Sequence, residues 1–276
     1  MTWLRKCKIL SDQYWGKNLN KTGPHAIKVA ISYRVLQRWR VPVFERLAAR
    51  KNIELLVLYG DDFPGSKVVS FKGKVNFNAK CLPTFRMAFR SKHGKVLLPL
   101  HKGLWSDLRQ FDPDVIITEG ASNALNNLVC FLFARVYKKK IVQWGLGELQ
   151  GRKVSLSRKL LNLMFFNAIE KRSDAALAYS SRGAAYYKKV GIAANHVYVA
   201  VNTVDTDAKI FNAKNYAKTM QLPWPPPVPD QFRVIFVGAL MENKGLHLLL
   251  RTFAKFHSRF PDVRLSIVGE GNLRPD

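Results

Sequence analysis

The chain has 276 residues, 47% apolar and 23% charged, enough for one large or two small packed domains and too apolar for a disordered chain. Lys and Arg number 45 against 19 Asp and Glu, and the net charge of +26 points to an acidic partner: nucleic acid, anionic lipid or a phosphorylated small molecule. The longest apolar runs, 128–134 and 163–166, are too short for a membrane span, and Cys7, Cys81 and Cys130 suit neither a disulfide framework nor a zinc site.

Residues 1–24 read as a polar leader, basic but without the apolar core and cleavage site of a secretory signal. His25-Ala-Ile-Lys-Val-Ala-Ile-Ser-Tyr33 then reads as a buried strand, and Pro42 opens a helix carrying Val43, Phe44, Leu47 and Ala48 at helical spacing. Residues 53–59 form the next strand. Between 63 and 104 the pattern is ambiguous: 84–90 and 95–100 flank Ser91-Lys-His-Gly94, which suits a hairpin or an amphipathic helix. Asp112-Pro-Asp-Val-Ile-Ile117 leads a strand that stops at Gly120. Residues 121–137 form a helix expected to bury Leu125, Leu128, Val129, Leu132 and Val136, and 140–144 form a strand ending at Gly145 and Gly147.

Ser157 is placed to cap a helix with Leu160, Leu161, Met164 and Phe165 on one side and Arg158, Lys159, Lys171 and Arg172 on the other. A strand at 174–179, a helix at 181–190 stopped by Gly191, and a strand at 196–201 follow. Strands apolar on both faces, alternating with helices, predict a doubly wound α/β domain over 25–211. Pro223, Pro225, Pro226, Pro227 and Pro229 make 212–230 a stiff connector. Residues 231–276 hold one β-α-β unit: a strand to Gly238, a helix from about Gly245, and a strand at 263–268. That is too little to cover both faces of a sheet, so a second Rossmann-like domain is expected to be incomplete. This last segment has seven basic and four acidic residues, a net +3, which leaves +23 for residues 1–230.

Two strand-end loops have chemical content. Gly238 allows close backbone approach, and Lys244-Gly245 brings a cation and unpaired amides to a helix start, a combination suited to a diphosphate. Gly269-Glu270-Gly271 ends the next strand, where open α/β sheets bind ligands. In order, Tyr33-Arg34…Arg40-Val-Pro-Val-Phe-Glu-Arg-Leu47, the Asp112–Ile117 strand, Val197-Tyr-Val-Ala-Val-Asn-Thr-Val-Asp205 and Val237-Gly-Ala-Leu…Asn243-Lys-Gly-Leu246…Ile267-Val-Gly-Glu-Gly271 resemble the GT-B glycosyltransferases of family 4.

The resemblance implies two facing Rossmann-like domains, with an acceptor on the first and a nucleoside-diphosphate sugar on the second. It implies retaining transfer without a metal or other cofactor. Lys244 would act catalytically on the diphosphate beside Gly238 and Gly245, and Gly269, Glu270 and Gly271 would lie near the nucleotide. Glu119, the second catalytic candidate, and Arg40, Gly120, Trp144 and Gly145 mark the acceptor side. Ala239 stands where the family usually has an arginine, Leu146 where a histidine is frequent, and Thr203 where a glycine is usual. The family's paired glutamates would fall beyond Asp276, so the chain is expected to be truncated and impaired.

Each site candidate also has a plainer reading: Lys244 as a solvated lysine, the 269–271 loop as a tight turn, the 119–120 and 144–145 pairs as ordinary strand ends, and Arg40 as a surface arginine. The cations of 85–90, 138–140 and 158–172 are expected to dock an anionic membrane, which suits a cytoplasmic enzyme using a surface-polysaccharide or lipid-linked acceptor. A non-catalytic remnant is the alternative from another class. A nucleic-acid partner is disfavoured, since no recognition helix or RNA-binding aromatic signature occurs.

Overall fold

The computed structural model describes residues 26–62, 69–91, 94–120, 123–147, 167–221 and 232–274. Two compact units divide the chain, the first ending at Asp205 and the second beginning at Thr206. The expected leader, the 157–166 part of the expected helix and the proline run at 223–229 lie outside the described residues.

In the first unit, β1 (Ile27–Tyr33), β2 (Ile53–Gly60), β3 (Asn78–Leu82), β6 (Val115–Glu119), β7 (Lys140–Gly145), β8 (Ala175–Ala178) and β9 (Val197–Val199) form one sheet in the order β3-β2-β1-β6-β7-β8-β9, every pair parallel. Strand alternation sends side chains to both faces. Ala30, Leu56, Leu58 and Ile116 pack on one side with Leu104 and Leu108 of α2 (Leu104–Phe111) and Phe133 of α3 (Ala124–Val136). Val29, Ile31, Leu55 and Val57 pack on the other with Val41 and Phe44 of α1 (Val41–Ala48). The short α4 (Asn167–Lys171) and α5 (Ser181–Val190) complete the sequence of helices around β8. Ser180 caps α5 by accepting from the Gly183 amide, and Gly191 ends it at φ 115°, a conformation suited to glycine. This is the doubly wound α/β architecture that the sequence pattern predicts.

The ambiguous stretch resolves into β3 and an antiparallel hairpin, β4 (Thr84–Ser91) and β5 (Gly94–His101), which stands apart from the main sheet. Neither β3 nor α2 is legible in the sequence, because Asn-Ala-Lys-Cys-Leu is too polar for a strand signal and Leu104–Phe111 has only two turns. In α3 the expected inward stripe is corrected. Leu128, Leu132 and Val136 are exposed, while Asn126, Asn127, Cys130, Phe133 and Ala134 are buried. The asparagines go inward because backbone groups there need partners: Asn127 donates to the Glu119 carbonyl at 2.6 Å, and Asn126 both accepts from the His101 amide and donates to the Pro99 carbonyl.

The second unit holds α6 (Thr206–Thr219), β10 (Arg233–Val237), α7 (Leu246–His257) and β11 (Arg264–Val268), with β10 and β11 parallel. The domain boundary expected at residue 211 falls inside α6, so residues 212–219 are helical; the sequence reading overlooked this helix because it shows little amphipathic contrast. Leu246 of α7 is buried, but Leu250 and Phe256 of the same helix and the following Phe260 are exposed, as are Ile235 and Val237 of β10.

His101 ties the hairpin to the sheet. Its buried ring bonds the Tyr33 carbonyl through Nε2 at 3.3 Å and the Thr84 hydroxyl through Nδ1 at 3.0 Å. Burial holds the imidazole down to about 4 against an ordinary 6.5, with the Tyr33 carbonyl pulling the other way. A depressed imidazole contributes stability above its unfolded value and loses it as pH falls toward the folded one. Stability should therefore decline between pH 6.5 and about 4. Chemical denaturation across that range should show a smaller decline in His101→Gln.

Candidate functional site

The strand order reverses between β1 and β6: from β1 the chain builds outward to β2 and β3, then crosses to β6 and builds the other way. In open parallel sheets the loops diverge at such a point and leave a crevice at the carboxyl ends. Here Glu119, the last residue of β6, reaches across and accepts a 2.7 Å hydrogen bond at Oε2 from the Arg34 amide that follows β1. Burial pushes the Glu119 carboxyl above the ordinary 4.5, while the Arg34 hydrogen bond and the Arg34 and Arg40 charges pull against it.

Around this carboxylate the strand ends are close-packed. Gly120 donates to the Trp144 carbonyl at 3.0 Å, and the Tyr179 amide donates to Gly145 at 3.1 Å. A side chain at Gly145 would come within 3.3 Å of the Gly120 Cα and 3.2 Å of the Tyr187 hydroxyl, so glycine keeps these two strand ends together. Trp144 is buried, and its indole Nε1 has no hydrogen-bond partner among the described residues.

Arg40 is not a surface arginine. Only 2% of it is exposed. Its guanidinium lies 4.3 Å from the rings of both Trp39 and Trp144 and 5.2 Å from that of Tyr179. Nε donates to the Tyr33 hydroxyl at 3.1 Å and Nη2 to the Tyr179 hydroxyl at 2.7 Å. Both phenols are pushed up, chiefly by burial, and stay neutral, so π faces and hydroxyl oxygens solvate the charge. Arg40 is thus a positioning residue that binds the ends of β1, β7 and β8. Sequence reasoning missed Tyr33, Trp39 and Tyr179 as its partners, because the contact between 40 and 179 exists only in the fold.

In the second unit the two glycine loops run side by side. Gly238 donates to the Val268 carbonyl and Leu240 to the Glu270 carbonyl. A Cβ at Gly269 would lie 1.8 Å from the Gly238 oxygen, and one at Gly271 would lie 2.1 Å from the Leu240 oxygen. Neighbouring backbone therefore accounts for both glycines. Gly238 differs: a Cβ there would meet nothing nearer than the Phe236 ring at 3.4 Å. Lys244 ends a 3-10 turn (Glu242–Lys244), and Gly245 at φ 66° precedes α7, whose start receives no side-chain cap. The helix begins at Leu246, one residue after the expected start. Lys244 is exposed and Glu270 pairs with Arg274.

No protein-family model matches the chain. Solved structures resemble it. A crystal structure of Anabaena HepE in complex with UDP and glucose has a TM-score of 0.55 at 13% identity, covering 89% of this chain and 61% of that one. The UDP-GlcNAc 2-epimerase of Neisseria meningitidis bound to UDP-GlcNAc has a TM-score of 0.51 at 15% identity, covering 87% and 65%.

The fold is GT-B-like.

A curated protein of Methanocaldococcus jannaschii, named only as an uncharacterized glycosyltransferase, is 22% identical over 176 residues, or 60% of this chain. The chain spans 42% of that relative's length, and less than two thirds of either crystal structure.

Two outcomes follow from the first-unit cluster. Arg40→Met leaves the Tyr33 and Tyr179 hydroxyls without their donor, and should cost roughly 2–3 kcal/mol in urea denaturation. A carboxyl raised by burial favours the folded state at low pH and opposes it as pH climbs past its unfolded value. The melting temperature of Glu119→Gln should therefore gain on that of the unaltered chain as pH rises past the ordinary carboxyl value of 4.5.

Proposed function

We propose that the chain is a glycosyltransferase acting on a nucleoside-diphosphate sugar, with a surface-polysaccharide or lipid-linked acceptor, by retaining and metal-independent transfer. The observation that carries this reading is Gly238, a glycine that no backbone neighbour requires, just ahead of Lys244 and the uncapped start of α7. Backbone left bare at a strand end, a free cation-bearing turn and unpaired amides are what a diphosphate needs. The GT-B-like fold, and neighbours whose structures contain UDP, UDP-glucose or UDP-GlcNAc, support it.

In this reading the bond between the anomeric carbon and the diphosphate oxygen breaks as the acceptor oxygen bonds that carbon. Charge accumulates on the departing diphosphate, and Lys244 with the first amides of α7 stabilises it. Gly269, Glu270 and Gly271 line the nucleotide side. On the first unit, Glu119 is the candidate base for the acceptor hydroxyl's proton, its carboxyl raised above the ordinary value by burial. Gly120, Trp144 and Gly145 form the acceptor edge, where the buried Trp144 Nε1 has no hydrogen-bond partner among the described residues. Arg40 holds that edge in shape from beneath. Residues 231–276 belong to the donor side, and the family-4 type is the assignment that the Lys244 motif favours.

Titration calorimetry of the purified chain with UDP tests the reading. Saturable binding is expected, with Lys244→Ala weakening it roughly tenfold, the worth of one charge-assisted hydrogen bond. Gly238→Ala should weaken UDP binding without moving the melting temperature, whereas Gly269→Ala should lower the melting temperature. Absence of UDP binding, or equal binding by Lys244→Ala, overturns the donor-site assignment.

A further inference from the structure

The segment that leaves β7 is locked from several sides. Gly145, Leu146 and Gly147 emerge at the carboxyl edge of the sheet, beside Gly120 and Trp144. A Cβ at Gly183 of α5 would lie 2.7 Å from the Leu146 carbonyl oxygen, and one at Gly147 would lie 2.8 Å from the Tyr186 ring. Gly147 also has φ 73°, a conformation suited to glycine. Its backbone hydrogen-bonds the hydroxyl of the buried Tyr187, the same hydroxyl that stands 3.2 Å from a Cβ placed at Gly145. Three glycines and two tyrosines therefore fix this backbone.

Tyr186 is itself held. Its hydroxyl donates to Glu170 Oε2 at 2.7 Å, which ties α5 to α4, and its ring packs edge-on against Tyr187. Burial pushes the Glu170 carboxyl above the ordinary 4.5, and the Tyr186 hydrogen bond pulls it back. On this fixed backbone stands an apolar side chain that the chain leaves open: Leu146 is 53% exposed, although Trp144 and Gly145 before it are buried. A scattered exposed leucine needs no explanation. One fixed at a crevice edge is different, because it offers a ligand the same surface each time and lowers the ordering cost of binding. Leucine supplies neither a hydrogen bond nor a charge, so the ligand surface that suits it is apolar.

We propose that Leu146 is a specificity-determining residue that packs on an apolar C–H surface of the acceptor, with Tyr186 and Glu170 as the positioning residues that aim it. The inference rests on the acceptor edge assigned above to Gly120, Trp144 and Gly145. Such a surface has two sources, the C–H face of a sugar ring and an alkyl chain attached to the sugar. Covering Leu146 with either removes apolar area from water. Tyr186 and Glu170 act through the backbone of Gly147 and Leu146 and touch no ligand.

The experiment is methyl NMR of the full chain labelled at leucine, with the Leu146 signals assigned by their loss in Leu146→Ser. The probes are the methyl and octyl β-glycosides of glucose, galactose and N-acetylglucosamine, the octyl compounds below their micelle-forming concentration. Saturable movement of the Leu146 methyls is expected with at least one sugar. A response to methyl glycosides identifies a ring face as the contact, and a response to octyl glycosides alone identifies an alkyl chain. Followed at the Trp144 indole, Leu146→Ser should weaken binding about tenfold, the order expected for a leucine left without its cover. Tyr186→Phe and Glu170→Ala should each broaden the Leu146 methyls and weaken binding about threefold, with little change in melting temperature. Glu170→Gln still accepts from the Tyr186 hydroxyl and should behave like the unaltered chain. Glycosides that move the Trp144 indole but not the Leu146 methyls overturn this inference and leave the acceptor edge standing; glycosides that move neither overturn both. The inference also fails if Leu146→Ser binds like the unaltered chain, or if Tyr186→Phe leaves the Leu146 methyls unchanged.

Discussion

A guanidinium sealed among aromatic rings is the interaction on which the first unit's carboxyl edge depends. Taking a full charge out of water is costly unless the surroundings replace the lost hydration. Around Arg40 they do so with two phenol oxygens and the faces of Trp39, Trp144 and Tyr179. Those partners come from the β1 end, the turn before α1, the β7 end and the residue following β8. Satisfying one buried charge therefore fixes four segments together. Phe44, fully buried against Tyr33 and Trp144, backs the same cluster with aromatic packing.

The placement of that cluster follows from topology. A parallel sheet that reverses its building direction between β1 and β6 leaves both adjoining loops free to diverge, and Glu119 bridges the gap to the Arg34 amide. Gly120 and Gly145 serve the packing of the strand ends.

The second unit separates glycines that look alike in sequence. Gly269 and Gly271 yield to the neighbouring backbone, Gly245 to a positive φ, and Gly238 to neither. A Gly-x-Gly signature alone carries little chemical information, because a tight backbone crossing and a bound phosphate both call for it. Steric accounting isolates Gly238 as the position whose emptiness a ligand would explain.

The sequence by itself determined the α/β class, the parallel sheet and most element positions, since strands buried on both faces and helices closed by glycine are local patterns. It also marked Glu119 and Trp144, which stand beside strand-ending glycines, Lys244 at a helix start, and Arg40 through the family resemblance. It misjudged the face of α3, where hydrophobicity favoured Leu128, Leu132 and Val136, but buried carbonyls and amides needed Asn126 and Asn127 more. It also missed β3 and α2, which are too short or too polar to stand out. Only the tertiary structure decided that Arg40 is buried, which strands meet at the switch point, and which apolar residues remain uncovered. Those facts depend on contacts between residues as far apart as 40 and 179, and hydrophobic periodicity does not record such contacts.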